Sequence, residues 1–215
     1  MKKITLILMA LFMLVTVTGC GKENKLENYQ YEHVGIYDTE TRQNIDIGDN
    51  KERIEKILGH GTKDDDSNHY SYSDNLSINY DDNNNAERIS ITFGLKSKGD
   101  LTRYTLSDGT CYTSTVTDFI DKYPYVYIYD TVKSDNQTPN DVVIILQKTD
   151  NKYTLKSKEE LVSMQEANNL QEDLYKVEVD YLSYDSILRL EVEKVKEYKY
   201  SPTDWDEVLI NAKQE

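Results

Sequence analysis

Residues Asp38–Gly61 read DTETRQNIDIGDNKERIEKILGHG. Two periodicities meet in this stretch. Ile45 and Ile47 alternate with polar residues, the spacing of an extended strand. Ile54, Ile57 and Leu58 recur three and four apart, which puts them on one face of a short helix. Between the two, Gly48-Asp49-Asn50 turns the chain, and Asp49 or Asn50 can cap the helix by accepting an orphan N–H. Gly59 ends it. A strand, a turn and a short amphipathic helix therefore come in quick succession.

Strands follow the helix. Tyr70 and Tyr72 in HYSYS, Leu76, Ile78 and Tyr80 in LSINY, and Ile89, Ile91 and Phe93 in ERISITF alternate with polar residues. This predicts an antiparallel meander with one apolar face. Its turns are Ser73-Asp74-Asn75 and DDNNN, where Asn tolerates the positive φ of a tight turn.

The pattern then recurs in weaker form. RYTLSDG (103–109) echoes NIDIGD (44–49), and Val116, Phe119, Ile120 and Tyr123 predict a second helix over Ser114–Lys122, stopped by Pro124. YVYIYDTV and DVVIILQK read as strands joined by the turn KSDNQTPN, with KYTL as a third. Ser157 and Glu160 form a capping box, each satisfying an end N–H of the other. A long hairpin follows. Val177, Val179 and Tyr181 mark one face of its first strand, and Leu188, Leu190 and Val192 mark one face of its second. A phase slip to Val195 predicts a bulge near Glu193-Lys194. Trp205, Val208, Leu209 and Ile210 suggest a closing helix. The fold class expected is α+β, mainly antiparallel sheet with meanders and a long C-terminal hairpin, and with short helices packed on one side.

Ile-x-Ile-Gly-Asp, a helix ending Ile57-Leu58-Gly59, and a Tyr-rich meander together resemble the repeat of the β-lactamase inhibitory protein family, a shape shared with small outer-membrane lipoproteins. The matching residues are Gly48, Asp49, Ile54, Leu58 and Gly59. The family's usual proline shortly after the last glycine is absent here, where the chain reads Gly59-His60-Gly61, and the second copy lacks a closing glycine. The resemblance implies a protein-binding or scaffolding module without catalytic residues.

The N-terminal end carries a different signal. Met1-Lys2-Lys3 precedes an apolar run from Ile4 to Val17, shorter than the ~20 residues a spanning helix needs. That is the make-up of a signal peptide. Val17-Thr18-Gly19-Cys20 resembles a bacterial lipobox. The resemblance implies cleavage before Cys20 and a covalent diacylglycerol on its sulfur. Two acyl chains anchor stably where one does not. The expected organisation is a signal peptide over 1–19, a lipidated Cys20 and flexible tether over 20–32, a helix-plus-meander unit over 33–99, and a second α+β unit over 100–215. The two units are free to share one sheet. The expected location is the outer face of the cell membrane.

Loss of residues 1–19 removes two of the 25 basic residues and none of the 39 acidic ones. A surface this acidic argues against nucleic acid as a partner and favours cationic partners or plain solubility. Cys111 is left with no cysteine partner and reads as a small core residue.

The sequence carries no Gly-rich phosphate loop, Gly-x-Ser-x-Gly or His-Glu-x-x-His. His60 and His69 flank Asp64-Asp65-Asp66, which reads as a solvated acidic loop, and DDNNN lacks the ligand spacing of a calcium loop. No catalytic residue, metal ligand or cofactor beyond the lipid on Cys20 is expected. Tyrosine is the anomaly, with 18 against 3 Phe and 1 Trp. Tyr123, Tyr125, Tyr127 and Tyr129 alternate, and the last three face one way in a strand. Tyrosine packs its ring while its hydroxyl stays wet, which suits a binding face for a protein or peptide. The function expected is a non-enzymatic binding or scaffolding module using Tyr125, Tyr127 and Tyr129. The alternatives are an envelope enzyme with a dispersed acid and hydroxyl site, and a lipoprotein that captures cations or small ligands.

Overall fold

The computed structural model describes residues 30–64, 68–73, 75–93, 101–123, 126–129, 141–166, 173–183, 186–195 and 206–207. Residues 1–19, Cys20 and Tyr125 lie outside them.

In chain order, β1 (Gln30–Tyr31), β2 (Gly35–Asp38) and β3 (Gln43–Asp46) precede helix α1 (Lys51–Leu58). The meander follows as β4 (Thr62–Lys63), β5 (His69–Ser71), β6 (Leu76–Tyr80) and β7 (Ala86–Thr92). Next come β8 (Tyr104–Leu106), α2 (Val116–Lys122), β9 (Tyr127–Tyr129), β10 (Asp141–Thr149) and β11 (Lys152–Leu155). The chain continues through α3 (Lys158–Glu166), β12 (Leu174–Ser183), β13 (Ser186–Lys194) and β14 (Asp206–Glu207). The result is a mainly antiparallel α+β protein.

Local chemistry sets the helix ends. The Asn50 side chain accepts the Glu52 N–H at 3.0 Å, and Gly59 at φ 85° closes α1 by donating its N–H to the Glu55 carbonyl. Asp49 has a different task, accepting the Asp46 N–H at 2.8 Å. Thr115 and Asp118 form a capping box on α2, and Ser157 and Glu160 form one on α3. In the DDNNN turn, Asp81 accepts the Asn83 and Asn85 N–H groups, while Asn84 takes φ 60°.

One large antiparallel sheet runs β1-β11-β10-β12-β13-β7-β6-β5-β4. β12 lies along one edge of β10, and the other edge is divided between β9 at Asp141–Val143 and β11 at Leu146–Thr149. A small second sheet runs β3-β2-β8. The echoed segments NIDIGD and RYTLSDG thus flank the same strand, with Ile45 and Leu106 on either side of Ile36. The boundary expected between residues 99 and 100 is crossed twice, by β2 with β8 and by β7 with β13.

One core fills the space between the two sheets. Ile36, Ile45 and Leu106 of the small sheet, Ile54 of α1 and Phe119 of α2 pack with Ile78, Ile89, Val192, Val179 and Ile144 of the large sheet. Each side chain of this size stabilises the fold by roughly 1.5–3 kcal/mol when fully buried.

Several expectations are corrected. The helices do not share one side: Ile54 of α1 and Phe119 of α2 pack into the core between the sheets, but Leu161 of α3 packs on Val143, Ile145 and Leu174, on the opposite face of β10. The five-residue apolar run Val142–Leu146 makes this possible, because it offers apolar side chains to both faces. Val195 joins that outer cluster, so its phase slip is a change of face rather than a bulge at Glu193-Lys194. The register shifts of the hairpin lie instead around Tyr181. They turn Ile187 inward and leave Leu188 exposed. Gln30 and Tyr31, assigned to the tether, pair with β11, and Asp206–Glu207, assigned to a closing helix, pair with β9.

Candidate functional site

The outer face of the large sheet is built by alternation. Val177 and Val179 of β12 and Leu190 and Val192 of β13 point into the core. Their neighbours Lys176, Glu178, Asp180, Arg189, Glu191 and Glu193 therefore share the opposite face. Register sets these in three rows across β10, β12, β13 and β7. The first row is Asp141, Asp180, Arg189, Thr92. The second is Val143, Glu178, Glu191, Ser90, and the third is Ile145, Lys176, Glu193, Arg88. The apolar ends Val143 and Ile145 pack with Leu161 of α3.

Opposite charges meet across the strands. Arg189 fans out to three carboxylates, with Nε to Asp180 at 2.5 Å, and Nη2 to Glu178 and Nη1 to Glu191 each at 3.3 Å. Lys176 bonds Glu178 and lies 2.8 Å from Glu193. Arg88 holds Glu193 through Nε at 2.8 Å and Nη2 at 2.6 Å. Burial would raise the Glu193 carboxyl, but Lys176 and Arg88 outweigh it and hold it below the usual range. Burial likewise works against the Lys176 ammonium, yet Glu178 and Glu193 hold its pKa above the ordinary value.

At the β10 end the acids outnumber the bases. Carboxylate oxygens of Asp141, Glu178 and Asp180 lie within 4.8 Å of one another. Burial, the closeness of Glu178 and the charge of Asp141 push Asp180 up to about 7 against the pull of Arg189. Burial and Glu178 raise Asp141 as well. These three are the only group among the described residues with metal-ligand closeness. The Arg189 guanidinium already supplies positive charge to Asp180 and Glu178.

The tyrosines divide. Tyr127 and Tyr129 stand in register with Val143 and Asp141, at the acid-rich end of the grid, and Tyr125 lies outside the described residues. Others belong to the core: Tyr80, Tyr104, Tyr123, Tyr153, Tyr175 and Tyr181 are buried. Three of these hydroxyls are hydrogen-bonded, Tyr123 to Asp108, Tyr181 to the Thr115 carbonyl at 3.2 Å, and Tyr80 to Tyr72 at 2.5 Å. Much of the tyrosine excess is therefore core packing rather than a wet face.

The histidines go separate ways, His60 to Glu55 at 3.0 Å and His69 to Asp64 at 3.4 Å. Cys111 is half-buried rather than a core residue, with its sulfur 3.3 Å from the Thr113 hydroxyl and 3.7 Å from that of Ser114. A cavity of about 20 Å³ under Tyr31, Leu106, Tyr123 and Ile144 has room for one water.

The sequence carried a signal for the charged grid. Every outward position from Lys176 to Asp180 and from Arg189 to Glu193 is ionisable. Alternation alone marks such positions only as facing outward. Which acid meets which base depends on register, and register comes from long-range pairing.

Fold and face together define a mainly antiparallel α+β protein with an ionic sheet face. Compared with models of known protein families, with characterised proteins and with solved structures, the chain shows no match. No helix among the described residues is long and apolar enough to cross a membrane.

Proposed function

We propose that the chain is a lipoprotein moored by a diacylglycerol on Cys20 at the outer face of the cell membrane. Its body is a non-enzymatic binding or scaffolding module for a protein or peptide. The lipobox-like Val17-Thr18-Gly19-Cys20 supports the mooring, and mass spectrometry of the processed chain tests it. A bare Cys20 sulfhydryl or an uncleaved leader refutes it.

The observation that carries the binding role is the setting of β9. Tyr127 and Tyr129 pair in register with the acid-rich end of the charged face. β9 thus sets two tyrosine positions beside an acidic corner, a composition that suits a partner with basic side chains. Replacing Tyr125, Tyr127 and Tyr129 by Ser abolishes partner capture from membranes while the circular-dichroism melt stays near wild type. Undiminished capture ends this reading.

A second reading, an envelope enzyme, draws on the close carboxyls of Asp141 and Asp180, since two acids with raised pKa values suit general acid–base chemistry. Under it, Asp180→Asn abolishes turnover of an envelope substrate without loss of partner capture.

A further inference from the structure

At the Asp141–Asp180 corner, acids outnumber bases among the described residues, and Arg189 supplies the positive charge there. The two residues face each other directly across β10 and β12. Like charges in that position are destabilising when both are ionised. The charged groups on the packed strands are Lys176 and Glu178 on β12, Arg189, Glu191 and Glu193 on β13, and Arg88 on β7, and the titratable Tyr129 of β9 stands in register with Asp141. Counted with the pair, the charged groups are five acids against three bases. The bases are committed: Lys176 and Arg88 to Glu193 and their neighbours, and Arg189 to three carboxylates.

Within the corner, Asp180 is 9% exposed, and its Oδ1 is buried without a donor among the described residues. A carboxylate oxygen of Asp141 lies within 4.8 Å of one of Asp180. Two carboxyls can hydrogen-bond only when one of them keeps its proton. An orphan acceptor buried beside a second carboxyl is therefore satisfied by a proton held between the two.

We propose that Asp141 and Asp180 share a single proton at neutral pH and form a proton-operated clasp between β10 and β12 at the β9 edge. While the proton is present, the clasp ties Asp141, the β10 residue paired to Tyr129, against Asp180. Its loss sets two carboxylates against each other at the end of the ladder that carries β9. This inference holds whether the face binds a partner or performs chemistry. The direction of the Asp180 shift agrees with it.

The test uses the full chain with ¹³C-labelled aspartate carboxyls, followed by NMR from pH 3 to 9, with Asp141→Asn for assignment. The expected result is one proton lost from the pair near pH 7, and no such step in Asp141→Asn, whose amide donates to Asp180 in place of the shared proton. Melting supplies a second readout. Relative to Asp141→Asn, wild type loses roughly 3 °C of Tm per pH unit as pH rises from 5.5 towards 7. Parallel melting curves, or two wild-type carboxyls titrating at about 4, the ordinary carboxylate range, overturn the proposal. So does a rise in wild-type Tm with millimolar Ca²⁺ at pH 8 that Asp141→Asn lacks, because the corner would then be a cation site. Should Asp141→Asn fail to fold, the wild-type titration alone decides.

Discussion

Arg103 closes on Asp38 across the β2–β8 pair, with Nε to Oδ1 at 3.1 Å and Nη2 to Oδ2 at 2.9 Å. Asp38 is wholly buried, and the Glu40 N–H adds a third hydrogen bond at 3.0 Å. Burial works to raise this carboxyl, but the Arg103 hydrogen bonds, the Glu40 N–H and the guanidinium charge outweigh it and hold it below the usual range.

Removing the guanidinium strands a buried charge. Arg103→Ala is expected to cost about 3–5 kcal/mol at pH 7, the usual penalty for breaking a buried pair from one side. The sign of the pH dependence follows from the lowered carboxyl. Such a group stabilises the fold above its unfolded pKa of ~3.9 and loses that contribution as pH falls through the lower folded value. In Arg103→Ala the burial effect is less strongly opposed, so Asp38 takes up a proton more readily. Urea melts at pH 7 and pH 4 should show the gap between wild type and variant narrowing in acid. A gap that widens would contradict the Arg103–Asp38 pairing.

Gly35 and Gly109 are both glycines, but they are needed for different reasons. A Cβ on Gly35 would stand 2.0 Å from the Ile45 carbonyl oxygen, backbone against backbone where β2 meets β3. Gly109 has open space around its would-be Cβ but sits at φ +84°. Gly35→Ala should therefore abolish the cooperative transition or lower stability by more than ~4 kcal/mol, in the range reserved for severe backbone conflicts. Gly109→Ala should cost only about 1–2 kcal/mol, the price of a left-handed conformation. Comparable losses at the two positions in chemical denaturation would mean that the β2–β3 approach is looser than described.

The β7–β13 seam should make the two halves melt as one. Ile89 stands opposite Val192 in this seam, and both are almost fully buried in the common core. Ile89→Ala is expected to cost about 2–5 kcal/mol. Calorimetry should still show a single transition with calorimetric and van't Hoff enthalpies in agreement. Two resolved transitions in wild type would show that the halves are independent despite the shared sheet.

What could be read beforehand was local. The i, i+3, i+4 spacing of Ile54, Ile57 and Leu58 and the reciprocal pair Ser157 and Glu160 found α1 and the start of α3, because a helix and its cap are settled within a few residues. The alternation in LSINY and ERISITF found β6 and β7 for the same reason. The pairing of β7 with β13 joins residues about a hundred positions apart, and no local pattern announces it. Leu188 shows a subtler limit. Its alternation with Leu190 and Val192 pointed inward, yet the register shift around Tyr181 turns Ile187 inward instead. The charged grid was hidden likewise: Arg189 and Glu178 are eleven residues apart in the chain and meet only once β12 and β13 are in register.

Cys111 offers the last test, because the fold gives it neighbours that its immediate sequence does not. Burial alone would push its thiol up, but hydrogen bonds from Thr113 and Ser114 and the positive charge of Lys122 on α2 bring it below the ordinary value. Lys122 is held in place by the Thr110 hydroxyl at 2.9 Å and by Asp108 at 3.5 Å. The thiolate is the reactive form, so alkylation in the native state should reach half its limiting rate below pH ~8.5, the value of an unperturbed cysteine. Mass-spectrometric mapping of the Cys111 peptide after timed iodoacetamide pulses reads this rate without interference from Cys20. Thr113→Val should move the half-point upward by removing the nearest hydroxyl, and Lys122→Met should do so by removing the cation. If neither substitution shifts the pH profile, the hydroxyls and the ammonium do not act on the sulfur, and Cys111 behaves as an ordinary half-buried thiol.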